Sequence, residues 1–374
     1  MKLRNSLSFI FTLSGSIIGA GILGLPYAFS KSGFLVGVLW TLFLASVMIY
    51  LNLALGEVSL RTKGRHHLIG YAEKYLGKNG KRIMFFAIFF EIYSALIAYM
   101  IGEGQSLSKL FTGGTEWAIL FGVIFWFLLT VFVYGSVKRL AKVEYVGVSV
   151  MLFTLILILV LLSPKIQVSN LVTFNVSQIF YPFGIVLFAL MGFTAIPNVR
   201  EEISKNRKLM KRTIIFGTLI PVLVYLFFSL VFVGVLGGNI AEVATNSFSG
   251  FIGKLLILLG VLTMLTSFFV LSFALRDIVN SDLKERKFAF VIVSAIPLAL
   301  YLIISIFNIT GFAGVLGIGG AIAGGTLGIL VMLLNIRAKK KGDQKSEYKV
   351  PINWITIIIL SLIFIAGIVV QFLF

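Results

Sequence analysis

The stretch SGSIIGAGILGLP, residues 14–26, interrupts the first apolar run of the chain. Its four glycines are dense for a helix interior, where each costs about 1 kcal/mol relative to alanine. Small residues spaced four apart could instead serve only the close packing of helices. A second run with the same combination of glycine and proline argues against that explanation. In FALMGFTAIP, residues 188–197, a glycine again precedes a proline by five residues. The two runs therefore predict two interrupted helices.

The sequence around these runs is that of a membrane protein. Of its 374 residues, 59% are hydrophobic and only 12% are charged, whereas soluble domains carry about 25% charged residues. A membrane span needs roughly 20 apolar residues. We therefore expect residues 1–374 to form a single polytopic, all-α membrane domain in contact with membrane lipids. The apolar runs predict eleven spans, at 6–29, 34–58, 83–107, 117–136, 143–162, 179–199, 213–236, 251–277, 288–307, 312–336 and 353–373.

The basic residues predict the orientation of the spans. Lys and Arg collect in cytoplasmic loops of membrane proteins, and 28 of the 32 basic residues lie on alternate loops of this chain. We expect a plasma-membrane protein with a cytoplasmic N-terminus and, since eleven is odd, an extracellular C-terminus. The net charge of +18 then follows from topology and gives no support for nucleic-acid binding. The basic segments are residues 1–5, 61–82, 138–142, 200–212, 276–287 and 337–349.

Several classes of function lack the residues they need. The chain has no cysteine, and its two histidines, His66 and His67, lie together in a segment whose mixed apolar and basic residues favour an interfacial helix. This leaves no metalloenzyme motif, so we expect neither an enzyme nor a bound cofactor. Rings of charges or carbonyls, which line channels, are not visible. An amino-acid-sensing receptor on a transporter fold remains an alternative.

The positions of the two interruptions indicate how the spans are arranged. Spans one and six begin two consecutive five-span units, 6–162 and 179–336, and the second must run with inverted topology because five is odd. Paired interruptions in such repeats mark the binding site of a secondary transporter. The backbone groups freed by each interruption bind a carboxylate or a small cation. The pattern predicts transport of a zwitterion through a five-plus-five inverted repeat, with one additional helix at 353–373.

Three stretches resemble the amino acid/auxin permease family, within the amino acid–polyamine–organocation superfamily. They are GxxxGxGILGLPYAF at 15–29, IAYMIGEGQSLSKL at 97–110 and LFALMGFTAIPNV at 187–199. The resemblance implies a leucine-transporter-like fold with broken helices one and six, and import of a small neutral or aromatic amino acid. It also implies a substrate site made of Ser16, Ile17, Gly19, Gly21, Phe188, Ala189, Leu190, Gly192 and Phe193. Tyr93 joins this set because of its depth in span three, and Tyr99, six residues later on a different face of the helix, is the alternative.

The coupling ion has two candidates in the sequence. Thr263, Thr266 and Ser267 share one face of span eight. The resemblance implies that the Thr263 backbone and the Thr266 and Ser267 hydroxyls bind sodium together with the carbonyls of Gly15 and Ile18. Hydroxyls in membrane helices also commonly bond the carbonyl four residues earlier. A second sodium site is not expected, because the resemblance implies an Asn where this chain has Ile22. Sodium is favoured over protons.

Protons are the alternative, with Glu91 as their binding residue, because a carboxyl inside a span is costly and by default marks function. Glu57 and Glu103 lie near predicted span ends, where we expect contact with solvent or with the membrane interface.

Overall fold

The computed structural model describes residues 2–134, 156–157, 160–203, 206–280 and 288–373. Within these ranges the chain is helical and no strand is present. Seven helices are long and apolar enough to cross a membrane, and a bent pair in the first span makes up to eight. Two shorter apolar helices lie at Ala118–Tyr134 and Val291–Ile306. The prediction of a multi-pass, all-helical membrane protein is confirmed.

The described α-helices follow the predicted spans closely. The fifth predicted span, 143–162, lies largely outside the described residues, so the count of eleven and the inverted repeat stay predictions. The helices are α1 (Lys2–Ile17), α2 (Leu25–Ser32), α3 (Phe34–Arg61), α4 (Leu68–Thr112), α5 (Ala118–Tyr134), α6 (Pro182–Leu190), α7 (Ala195–Glu202), α8 (Met210–Leu236), α9 (Gly250–Ile278), α10 (Ile296–Ile306), α11 (Phe312–Gly319), α12 (Gly325–Lys341) and α13 (Trp354–Leu373).

The first span is broken where its glycines predict. Helix α1 ends at Ile17, and Gly19 is fully extended, with φ −114° and ψ −163°. A 3₁₀ turn, Ala20–Gly24, then leads into α2, and the two halves of the span are bent by 51°. Pro26 lies in the first turn of α2, where its missing N–H leaves no hydrogen bond unmade.

The sixth predicted span is broken in the same manner. Helix α6 ends at Leu190, Met191 is extended with φ −63° and ψ 129°, and α7 starts at Ala195. In this gap the backbone amides of Gly192 and Phe193 donate no hydrogen bond to any residue that the structure describes. The break therefore leaves polar backbone groups free in the protein interior.

Packing places the second break at the centre of the molecule. Every residue of α6 is buried, and α6 packs against α3 and α11. Helix α4 packs against α5, α9, α11 and α12, and is kinked at Gly77, whose φ of +75° suits glycine. Its first part, from Leu68, forms the helix expected in segment 61–82. Helix α13 is peripheral and buries little beyond Ile357, Phe364 and Gly367.

Three of the predicted cytoplasmic segments meet at one end of the molecule, which we call the basic end (residues 61–67, 200–203, 206–207 and 337–350). Arg207 pairs with Glu347 at 2.9 Å, and Arg65 pairs with Glu201 at 3.3 Å. The connection between α12 and α13, residues 342–353, runs across this end and is called the strap. Its residues contact the end of α3 and the start of α4, so these three basic segments lie together.

Two acids expected near solvent are instead buried. Glu57 is fully buried and accepts hydrogen bonds from Arg61 at 2.9 Å, from Asn335 at 3.1 Å and from the Val350 amide at 2.8 Å. Glu103 is also fully buried, and neither carboxyl oxygen has a hydrogen-bond partner among the described residues. The expectation was wrong because α3 and α4 continue beyond their apolar cores, and the strap covers the end of α3.

Candidate functional site

The two helix breaks cross each other at close range. A Cβ placed on Gly21 would lie 3.0 Å from the Cα of Ala189 in α6. A Cβ on Gly192 would lie 2.7 Å from Cγ1 of Ile17, the last residue of α1. Each contact is tighter than ordinary van der Waals packing allows. The glycines that interrupt the helices are thus also what lets the breaks approach.

Tyr225 of α8 joins the two breaks by hydrogen bonds. Its hydroxyl lies 2.8 Å from the carbonyl oxygen of Ile17 and 2.9 Å from that of Ala189. The side chain is fully buried. Ile17 ends α1 and Ala189 is the penultimate residue of α6, so the C-terminal ends of two half-helices meet at one phenol.

A cavity of about 430 Å³ lies beside this crossing. It extends from the breaks to His67, Asn198 and Asp277, so it runs to the basic end of the molecule. Its volume falls in the range of about 300–1,000 Å³ usual for small-molecule sites. Its wall contains most of the residues predicted for substrate or ions: Gly15, Ser16, Ile17, Ile18, Gly19, Gly21, Glu91, Phe188, Ala189, Thr263, Thr266 and Ser267.

Four predicted substrate residues do not line the cavity. Tyr93 turns away and donates a hydrogen bond of 2.6 Å to the carbonyl of Ile292. Leu190 and Phe193 are buried behind the second break, and Gly192 faces Ile17.

The three residues predicted to bind sodium on α9 all line the cavity. The Thr266 hydroxyl lies 3.0 Å from the carbonyl oxygens of Leu262 and Thr263 and shares its one proton between them. The Thr263 hydroxyl donates to the carbonyl of Leu259 at 2.8 Å. These are the local bonds that such residues commonly make in membrane helices. A hydroxyl that donates its proton in this way retains lone pairs, so the Thr266 oxygen stays able to accept a cation.

Helix α4 presents one face, with two polar side chains, to the cavity. Glu91, Ala95 and Tyr99 are spaced by four residues and all line the wall. One Glu91 carboxyl oxygen, Oε2, is buried without a hydrogen-bond partner among the described residues. At the first break, a Cβ on Gly19 would lie 3.6 Å from the Ser267 hydroxyl and 3.8 Å from the Tyr99 hydroxyl. Tyr99 thus lies where Tyr93 was expected.

Some wall residues carry no signal that sequence reasoning used. Thr194 and Asn198 line the cavity from α7 and the turn before it, because the second break directs that face toward the open space. Tyr99 was the alternative to Tyr93 in the sequence, and its spacing of eight residues from Glu91 places both on the cavity side of α4. The role of Tyr225 could not be detected from the sequence. It is one aromatic residue inside the apolar run of α8, and its partners lie on other helices.

Comparison with known proteins gives a consistent picture. The sequence pattern of the tryptophan/tyrosine permease family matches residues 3–371. Tyrosine-specific transport system 1 of Haemophilus influenzae is 27% identical over 342 residues, which cover 82% of this chain and 82% of that protein. Tyrosine-specific transport system 2 of the same organism is 29% identical over 233 residues, covering 60% of this chain and 57% of that protein.

Glutamine transporter 2 of Aliivibrio fischeri is 26% identical over 235 residues, which cover 61% of this chain. The match spans 60% of the length of that protein. The family and these relatives are permeases and transporters, not enzymes. The resemblance to amino acid permeases seen in the two interrupted runs is confirmed, and the chain belongs to the tryptophan/tyrosine permease family.

Proposed function

We propose that the chain is a secondary active transporter that imports a small neutral or aromatic amino acid by alternating access, driven by a cation gradient. The observation that carries this proposal is the crossing of two broken helices at the wall of a cavity. Binding sites of this kind of transporter lie where discontinuous helices meet. The relatives named for tyrosine and glutamine transport support an amino acid as the substrate.

The backbone groups at the breaks suit the two charged ends of an amino acid. The 3₁₀ turn at Ala20 begins beside the cavity, and the amide of Gly21 donates no hydrogen bond to a described residue. Amides at the start of a helix favour a carboxylate. The carbonyls of Ile17 and Ala189 already accept hydrogen bonds from Tyr225, but they lie at half-helix C-termini, whose partial negative charge favours an ammonium group nearby. Phe188 supplies an apolar wall for the side chain.

The proposal includes a full architecture and orientation. In this proposal the protein has eleven spans, of which ten form a five-plus-five inverted repeat and one is an additional helix. The protein lies in the plasma membrane with its basic end facing the cytoplasm. The meeting of the basic segments at one end supports this orientation. With that orientation the cavity is open inward, because its wall includes His67 and Asp277 and no residue from the connections at the opposite end.

Sodium is the favoured coupling ion. The proposal is supported by the position of Thr263, Thr266 and Ser267, which line the same cavity as Gly15 and Ile18. Hydroxyl and carbonyl oxygens are the ligands that hard cations prefer. The proton-coupled alternative rests on Glu91, whose carboxyl has an unpartnered oxygen in the same wall. A receptor function on this fold is disfavoured by relatives that are named as transporters.

The test is uptake of labelled amino acids into proteoliposomes under an imposed gradient of sodium or of protons. We expect sodium to drive accumulation of tyrosine, tryptophan or another neutral amino acid, with glutamine included because of the Aliivibrio relative. Empty liposomes and gradients dissipated by ionophore are the controls. Binding of an amino acid without accumulation under either gradient would favour the receptor, and accumulation driven by protons alone would favour Glu91.

A further inference from the structure

The meeting point at Tyr225 poses an electrostatic problem. The C-terminal end of a helix carries a partial negative charge of about half an elementary charge. Helices α1 and α6 bring two such ends to one place, where the carbonyls of Ile17 and Ala189 lie 2.8 and 2.9 Å from the same oxygen atom. Two helix ends that each carry a partial negative charge repel each other unless a positive or proton-donating group lies between them.

Tyr225 supplies that group from a third helix. A phenol carries one proton, which it donates to one carbonyl at a time or shares between both. Its side chain is fully buried and is not part of the cavity wall. The Tyr225 hydroxyl therefore occupies the place that a small cation would otherwise take between two carbonyl oxygens.

We propose that Tyr225 is a positioning residue that replaces a cation: its hydroxyl proton joins the ends of α1 and α6, and so fixes the carbonyls that shape the substrate site. The inference rests on the proposed function for its effect on substrate binding. It goes beyond that function because it assigns the charge balance of this junction to the protein itself. Only the ion bound near α9 is then drawn from the gradient.

The variant Tyr225→Phe tests this idea, because it keeps the ring and removes the proton. The Ala189 carbonyl then loses its hydrogen bond, and the Ile17 carbonyl keeps only the one from the Gly19 amide, at 2.9 Å. A small cation that binds both oxygens becomes a favourable replacement for the phenol proton. We expect Tyr225→Phe to unfold at a temperature lower by at least about 2 °C in choline chloride. Sodium or lithium should restore much of this loss, as a saturable component that the wild-type protein lacks.

Tyr301→Phe is the matched control. Tyr301 is also buried, and its hydroxyl lies 3.3 Å from each of the carbonyls of Ala118 and Ile119, away from both breaks. It loses a similar hydrogen bond, but no pair of half-helix C-termini meets there. We expect no added cation dependence in Tyr301→Phe. Equal responses of the two variants to sodium would overturn the proposal.

Should Tyr225→Phe not fold in any salt, Tyr225→Gln and Tyr225→Met form a second pair. They have similar length, but only Gln carries a donor. Recovery of folded protein with Gln and not with Met supports a donor at the junction, and equal recovery or equal loss refutes it.

A second readout is amino acid affinity. We expect Tyr225→Phe to bind substrate at least about tenfold more weakly in low sodium, with recovery as sodium rises. If the wild-type protein neither binds nor transports any amino acid, the proposed function fails. The salt dependence of unfolding still decides the role of Tyr225, because it requires no substrate.

Discussion

Gly21 and Ala189 are in backbone contact: a Cβ added to Gly21 would lie 3.0 Å from the Cα and 3.2 Å from the Cβ of Ala189. The contact joins the first break to the helix that precedes the second. Because a main-chain atom limits the space, no change of rotamer relieves an added methyl group. The two broken spans must then separate by a few tenths of an ångström.

Gly21→Ala should therefore reduce substrate binding and also destabilise the fold by about 1–3 kcal/mol, the usual cost of overpacking. Uptake and thermal unfolding measure the two effects. Gly238→Ala is the control, because nothing lies within 4 Å of a Cβ added there. Normal substrate affinity in Gly21→Ala would show that the contact does not set the geometry of the site.

Thr266→Ala and Ser267→Ala should raise the sodium concentration for half-maximal uptake by about tenfold or more, corresponding to ~1.4 kcal/mol per variant. Each removes an oxygen from the cavity wall. Ser272→Ala, on the same helix but outside the wall, is expected to leave the sodium dependence unchanged. An unchanged sodium dependence in both wall variants would place the ion elsewhere.

Glu91→Gln distinguishes the two coupling ions. Gln has the same shape but cannot release or take up a proton at physiological pH. Under sodium coupling, uptake by Glu91→Gln persists and keeps its sodium dependence. Under proton coupling through Glu91, an imposed proton gradient drives uptake by the wild-type protein and none by the variant, and the result is read in proteoliposomes at matched membrane potential.

Glu57→Ala should lower the free energy of unfolding by about 3–5 kcal/mol, because it leaves Arg61 buried without its partner. Denaturant unfolding in detergent measures the loss. Glu73→Ala breaks the exposed pair with Lys81, for which a change of about 0–1 kcal/mol is expected. Similar losses of unfolding free energy in the two variants would contradict a structural role for the buried ion pair of Glu57 and Arg61.

The strap should stay attached over the physiological pH range. The hydrogen bond from Lys74, aided by the Lys63 amide, holds the pKa of the Asp343 carboxyl below its usual value. A lowered pKa means that the stabilisation is present above the unfolded value, about 3.9, and is lost as pH falls through the lower folded value.

A spin label attached to the variant Lys345→Cys can report whether the strap stays attached, because the chain has no other thiol. We expect constant label mobility from about pH 5 to 8, and higher mobility in Asp343→Asn across that range. Mobility that rises between pH 8 and 5 in the unchanged strap would contradict the assignment.

Local sequence predicted the breaks because glycine and proline act on their own backbone. Gly19 and Met191 are extended where these residues cluster, and the spacing of Thr263, Thr266 and Ser267 placed all three in one wall. Such features depend on the chain within a few residues of themselves, which is why no knowledge of the packing was needed.

Features that depend on packing between helices were missed. Tyr93 and Glu91 are two residues apart, roughly 200° around a helix, so the two side chains face opposite ways and Tyr99 takes the cavity side. Tyr225 meets its partners through the packing of α8 on the two broken spans. Glu57 is buried by the strap, almost 300 residues later in the chain.

Glu57 joins α3, α12 and the strap through Arg61, Asn335 and the Val350 amide. Separating any of these three would strand a charge in a dry interior, so they have to travel as one rigid unit. A rearrangement that closes the cavity at the basic end must then move the helices on the other side of the cavity. The extended residues Gly19 and Met191, which no helical hydrogen-bond ladder restrains, are the natural pivots for it.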